Sequence, residues 1–64
     1  MMNATAKLVM TRDGYAAILT PETGVPHTIY GGYMAIVIVR SLVYAAEHGW
    51  TITTSDGEWW DEKD

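Results

Sequence analysis

The chain has 64 residues, no cysteine and a formal net charge of −4. One domain of this length buries only about 60% of the surface that its unfolded chain exposes, so association with a partner is a common source of extra stability. The composition excludes disulfides and thiolate chemistry, and the lack of a basic surplus argues against direct nucleic-acid binding. We therefore expect a single domain over residues 1–64, with residues 1–4 and 62–64 frayed.

The first predicted elements form a β-hairpin. Residues 5–11 (TAKLVMT) alternate in polarity, and residues 15–20 (YAAILT) follow Asp13-Gly14. Asp-Gly is typical of a two-residue hairpin loop, because glycine accepts the positive φ of a tight turn. Such a loop pairs Met10 with Ala17. The predicted core wall of this hairpin consists of Ala6, Leu8, Met10, Ala17 and Leu19.

A connection of about a dozen residues, 21–32 (PETGVPHTIYGG), is predicted to follow the hairpin. Backbone N–H groups after Gly31-Gly32, at the start of a helix, can bind an anion. One alternative function is therefore a small anionic-ligand or nucleotide site at Tyr30, Gly31, Gly32 and Tyr33. The competing interpretation is that the two glycines only let the chain turn tightly into the helix.

Residues 33–46 (YMAIVIVRSLVYAA) predict a helix that begins near Gly31 or Gly32 and ends at His48-Gly49. Its apolar residues occupy nearly the whole circumference, although a helix on one small core needs only one apolar stripe. At about 100° per residue, the predicted core stripe is Met34, Ala35, Ile38, Leu42, Ala45 and Ala46. On the other side, the predicted homodimer interface consists of Tyr33, Val37, Arg40 and Tyr44. Pairing of edge strands between two copies is the rival geometry.

The C-terminal segment combines tryptophans with acidic residues. Residues 50–54 (WTITT) predict a strand, and Asp56-Gly57 predicts a second hairpin with the residues that follow. The last ten residues hold five acids and one base. Aromatic anchors beside charges are typical of protein-binding hot spots, and this charge favours a basic partner. The predicted partner-binding residues are Trp60, Glu58, Asp61 and Glu62, although Trp60 could instead cover the back of the sheet.

No pattern in the sequence specifies a catalytic or metal site. His27 and His48 are far apart in the chain and lack the further ligands that a metal needs. Neither serine has the surroundings of an activated nucleophile. The expected fold is α+β, with two antiparallel β-hairpins flanking a single α-helix (ββαββ) in a sheet layer and a helix layer. We expect no enzymatic activity, no cofactor and no metal.

These features together predict a small acidic, non-catalytic protein-binding module that forms a homodimer. Its expected role is that of an accessory regulator or inhibitor, occupying a basic surface of a larger macromolecule. Carriage by a phage or another mobile element, as in counter-defence, fits its size and charge. The chain lacks an export signal and a membrane-spanning run, so we expect a cytoplasmic protein. Besides ligand binding, the remaining alternative is a structural subunit of a larger assembly.

Overall fold

The computed structural model describes residues 2–54 of the chain. This range contains the strands β1 (Met2–Thr11), β2 (Gly14–Pro21), β3 (His27–Gly31) and β4 (Trp50–Thr54), with the helix α1 (Met34–Glu47) between β3 and β4. The strands form one sheet in the order β3-β2-β1-β4. The α+β class is confirmed, with one helix packed on a mixed four-stranded sheet.

The sheet combines antiparallel and parallel pairing. β1, β2 and β3 form an antiparallel meander, whereas β4 pairs parallel with β1. β3 and β4 therefore run in the same direction along opposite edges of the sheet, and α1 is the crossover that such strands require. Residues 2–54 do not follow the expected ββαββ order, because the strand β3 forms in the segment that was expected to be a loop. The second expected hairpin, at Asp56-Gly57, lies outside the described residues.

The first hairpin turns one residue earlier than expected. Thr11 pairs with Gly14, so that the two-residue loop is Arg12-Asp13. Ala17 consequently lies opposite Leu8 instead of Met10. The pairing has moved by two residues, which leaves every side chain on its expected face because strands alternate with a period of two. The expected core wall is nevertheless wrong for Met10, which is 78% exposed.

Gly14 has a packing role instead of the expected turn role. A β-carbon at this position would collide with the carbonyl oxygen of Gly31 and would lie 2.8 Å from the Cα of Gly32. Glycine therefore lets the end of β3 pass directly against the start of β2.

Small side chains dominate the core between the sheet and α1. Leu19, Val37 and Ser41 are the largest side chains that are completely buried. The side chains buried between the two layers are Ala4, Ala6, Ala17, Leu19, Ile29, Val37, Ser41 and Ala45. Because most of them are small, the helix lies close to the sheet and the domain buries little apolar surface for its size.

The helix is rotated about its axis, by about a quarter of a turn, from the expected orientation. Of the expected core stripe, Ala45 is buried and Ile38 half-buried, whereas the other four residues are exposed: Met34, Ala35, Leu42 and Ala46. The expected dimer interface is also wrong for Val37, which is fully buried in the chain's own core. The cause is the sheet surface, whose alanines and Gly31 bring the backbone of α1 too close for leucine or methionine.

Candidate interaction surface

The side of α1 that faces away from the sheet is aliphatic. Four of its large side chains are substantially exposed: Ile36 (41%), Val39 (58%), Leu42 (40%) and Val43 (51%). The outer helix face, as we call it, consists of Ala35, Ile36, Val39, Leu42, Val43 and Ala46. It covers about 120° of the helix circumference and contains no charged or polar residue. A rigid helix thus presents a continuous apolar surface to solvent.

The two borders of the outer helix face differ in polarity. Arg40 and Glu47, about two helical turns apart, lie on one border, and both are exposed. Arg40 donates a hydrogen bond from Nη1 to the carbonyl oxygen of Tyr30, at 3.2 Å, which ties this border to β3. The opposite border is formed by Leu42 and then by half-buried Ile38. One border is therefore charged and the other aliphatic.

The helix leaves several of its large aliphatic residues exposed. Val37, Ser41 and Ala45 face the sheet, whereas Val39 faces away from it, and Ile36 is 41% exposed with its Cγ2 close to Gly31 at the edge of the sheet. Fully burying an aliphatic side chain of this size stabilises a protein by about 1.5–3 kcal/mol. The monomer thus leaves part of the hydrophobic stabilisation that these side chains could supply unused. Extended apolar patches of this kind mark interaction surfaces on soluble proteins.

The structure separates the four residues that were expected to form a dimer interface. Tyr33 is the N-cap residue of α1 and is 71% exposed. Arg40 lies on the charged border of the outer helix face, and Val37 lies in the core. Tyr44 is half-buried and packs against that core. The expected partner-binding residues Trp60, Glu58, Asp61 and Glu62 lie outside the described residues.

Three of the expected ligand-binding residues meet at one end of the sheet. An open cleft of about 490 Å³ is lined by Thr11, Arg12, Asp13, Tyr15, Tyr30, Gly31 and Gly32. Its ionisable side chains are the guanidinium of Arg12, the carboxylate of Asp13 and the phenols of Tyr15 and Tyr30. Gly31 also has a steric role, because a β-carbon there would lie 2.8 Å from Cγ2 of Val37. Packing alone therefore accounts for that glycine.

Four aromatic rings cluster at the C-terminal end of α1. The ring of Tyr44 lies between those of His27 and His48, with a centroid distance of 4.1 Å on each side. Trp50 meets the tyrosine edge-on at 5.5 Å. Nδ1 of His48 lies 2.9 Å from the carbonyl oxygen of Tyr44. The cluster fastens the helix end to the first residues of β3 and β4.

The sequence reasoning missed this aromatic cluster. The spacing of Tyr44 and His48, one helical turn, was a usable signal for a contact. The position of His27 was not, because it depends on the unforeseen strand β3. Among residues 2–54, no three His, Asp or Glu side chains converge to hold a metal ion.

No family model matches the chain, and neither a curated protein nor a solved structure matches it significantly. Within residues 2–54, no helix has both the length and the apolar character needed to cross a membrane.

Proposed function

We propose that this protein is a non-catalytic protein-binding module and that the outer helix face is its binding surface. The observation that carries the proposal is the exposure of Ile36, Val39 and Val43 on a helix that buries Val37, Ser41 and Ala45. Covering these side chains with another apolar surface is favourable, and no polar group of the face has to lose its water. The fixed position of the helix on its sheet keeps the ordering cost of binding small.

The role that fits such a module is that of an accessory regulator or inhibitor. It acts by occupying a surface on a larger macromolecule. The outer helix face supplies affinity, since it is apolar. The net charge of −4 supplies preference for a basic partner and speeds the encounter with it.

Site-specific photo-crosslinking tests the proposal. A photoreactive amino acid replaces Val39 on the outer helix face or, as the matched control, Thr20, an exposed residue on the opposite side of the sheet. After irradiation in cells that express the full chain, we expect polypeptide adducts from position 39 and few from position 20. Absence of any adduct at position 39, or equal yields at both positions, would overturn the proposal.

The cleft at the end of the sheet favours a second candidate function, the binding of a small anionic ligand. Tyr30, which is 64% exposed, can stack on a planar group there, and Arg12 can pair with a phosphate. Titration of the full chain with adenosine monophosphate, followed by the amide NMR signals of Gly31 and Gly32, tests this function. Saturable shifts that Arg12→Ser weakens support it, whereas unchanged signals at millimolar ligand rule it out.

A further inference from the structure

We infer that the outer helix face binds a second copy of this chain. The two α1 helices pack antiparallel, and the two-fold axis that relates them crosses the outer helix face at the level of residue 41 along the helix. The inference rests on the proposed function and names a second copy as the occupant of the same surface, so that a larger macromolecule would have to displace that copy to bind there. It is supported by the spacing and the size of the residues on that face and by the charged residues on its borders.

Apolar residues on the outer helix face follow the spacing of a coiled-coil seam. Ile36, Val39, Val43 and Ala46 are separated by three, four and three residues, which is the a-d-a-d pattern of a heptad repeat. The seam is uncharged, so an apolar surface is what complements it. A second seam of the same kind is the surface that fits it, and another copy of the chain carries one.

Side-chain size favours antiparallel packing. Antiparallel helices place each a residue against a d residue of the other helix, so Ile36 meets Ala46 of the second copy and Val39 meets Val43 of the second copy. Every layer then contains nearly the same number of side-chain carbons. Parallel packing would instead set Ile36 against its own equivalent at one end and Ala46 against its own equivalent at the other. That arrangement overfills one layer and leaves a void in another, and both defects are destabilising.

The charged residues on the borders of the outer helix face also favour antiparallel packing. In an antiparallel pair each border faces the same border of the other helix, whereas in a parallel pair it faces the opposite border. Antiparallel packing therefore sets Arg40 near Glu47 of the second copy, about 7.5 Å apart along the helix axis, within reach of two long side chains. The guanidinium has five N–H donors, so its bond to Tyr30 leaves others for this pair. On the other border, Leu42 meets the aliphatic border of the second copy. The dipoles of the two antiparallel helices also attract each other.

The size of the seam sets the expected strength of the dimer. The 14 residues of α1 form a rod about 21 Å long, and half of its surface is about 400 Å². Two copies then bury about 800 Å² in total, below the 1,200–2,000 Å² that is usual for stable complexes. The dimer should accordingly be reversible, with a dissociation constant in the micromolar range, and the monomer should keep its own core when it dissociates.

Sedimentation equilibrium of the full chain tests the inference. Between about 1 µM and about 500 µM, the mass should rise from 7.1 kDa toward twice that value. Val39→Glu should abolish the rise, while Thr20→Glu, the control on the other side of the sheet, should keep it, and circular dichroism should show that both variants are folded. A wild-type mass of 7.1 kDa throughout would overturn the inference. A Val39 crosslink to another polypeptide would then still support the proposed function.

Disulfide trapping tests the direction of the helices. The chain has no cysteine, so each introduced thiol gives an unambiguous product. Disulfides need Cα atoms within about 7 Å. In the antiparallel pair two copies of residue 36 lie about 15 Å apart along the axis, while residues 36 and 46 share a layer. An oxidised mixture of Ile36→Cys and Ala46→Cys should give the mixed disulfide. Ile36→Cys alone should stay reduced, and its efficient self-crosslinking would overturn the antiparallel arrangement.

Discussion

Gly31 lies directly beneath Val37, and a β-carbon at Gly31 would stand 2.8 Å from Cγ2 of that valine. Real β-carbons essentially never approach another atom so closely, because the repulsion is too steep. The absence of a side chain at position 31 therefore sets how near α1 comes to the sheet. Together with the alanines of the sheet, this contact explains why the inner side of the helix carries valine, serine and alanine instead of leucine.

The first prediction concerns the two adjacent glycines. Gly31→Ala should destabilise the domain by about 1–3 kcal/mol, because α1 must move away from the sheet to admit one methyl group. Gly32→Ala is the matched control, since a β-carbon there meets nothing within 4 Å and its φ is not positive. It should leave stability unchanged or raise it by up to about 1 kcal/mol. Urea unfolding measures both, and equal losses in the two variants would show that the helix does not approach at Gly31.

The second prediction compares two valines on opposite sides of the same helix. Val37→Ala removes a completely buried side chain and should cost about 2 kcal/mol. Val39→Ala changes a side chain that is 58% exposed and should shift stability by no more than about 0.5 kcal/mol. Unfolding at a protein concentration well below the dissociation constant of the dimer keeps self-association out of the comparison. A larger loss for Val39 than for Val37 would mean that the helix orientation described here is incorrect.

Local sequence signals were enough to predict the first hairpin, the helix and the strand after it. The apolar alternation before Asp13, the run up to Glu47 and the β-branched residues of 50–54 each indicate their element without distant contacts. β3 could not be predicted in this way. Its five residues are held in the sheet by pairing with β2, and that pairing cannot be seen in a short segment between Pro26 and Gly31.

The outer helix face could be predicted only in part. The excess of apolar residues around the helix correctly indicated that some would stay uncovered by the sheet. Which side stays uncovered could not be derived, because hydrophobicity ranks Leu42 above Ser41 as a core residue. Steric fit against the sheet reverses that ranking, and the fit depends on residues distant in sequence, among them Ala17 and Gly31.

The third prediction tests whether space limits the inner side of α1. Ser41 is fully buried and donates a hydrogen bond from Oγ to the carbonyl oxygen of Val37 at 2.7 Å. That carbonyl can still accept its bond within the helix, so Ser41→Ala should change stability by less than about 1 kcal/mol. Ser41→Leu adds apolar volume where none fits and should cost about 1–3 kcal/mol. If the leucine variant proved the more stable in thermal unfolding, close packing would not be what selects serine.

The last prediction concerns the aromatic cluster at the end of α1. Tyr44→Leu keeps an apolar side chain but removes the ring that stacks between His27 and His48. Each aromatic contact contributes about 0.5–1.5 kcal/mol beyond area burial, so the variant should lose at least about 1 kcal/mol. Tyr33→Leu is the matched control, because that tyrosine is 71% exposed and lies at the other end of the helix. Hydrogen exchange should show that Tyr44→Leu specifically loosens the amides of His48 and Gly49, whereas unchanged protection there would mean that the cluster does not hold the helix end.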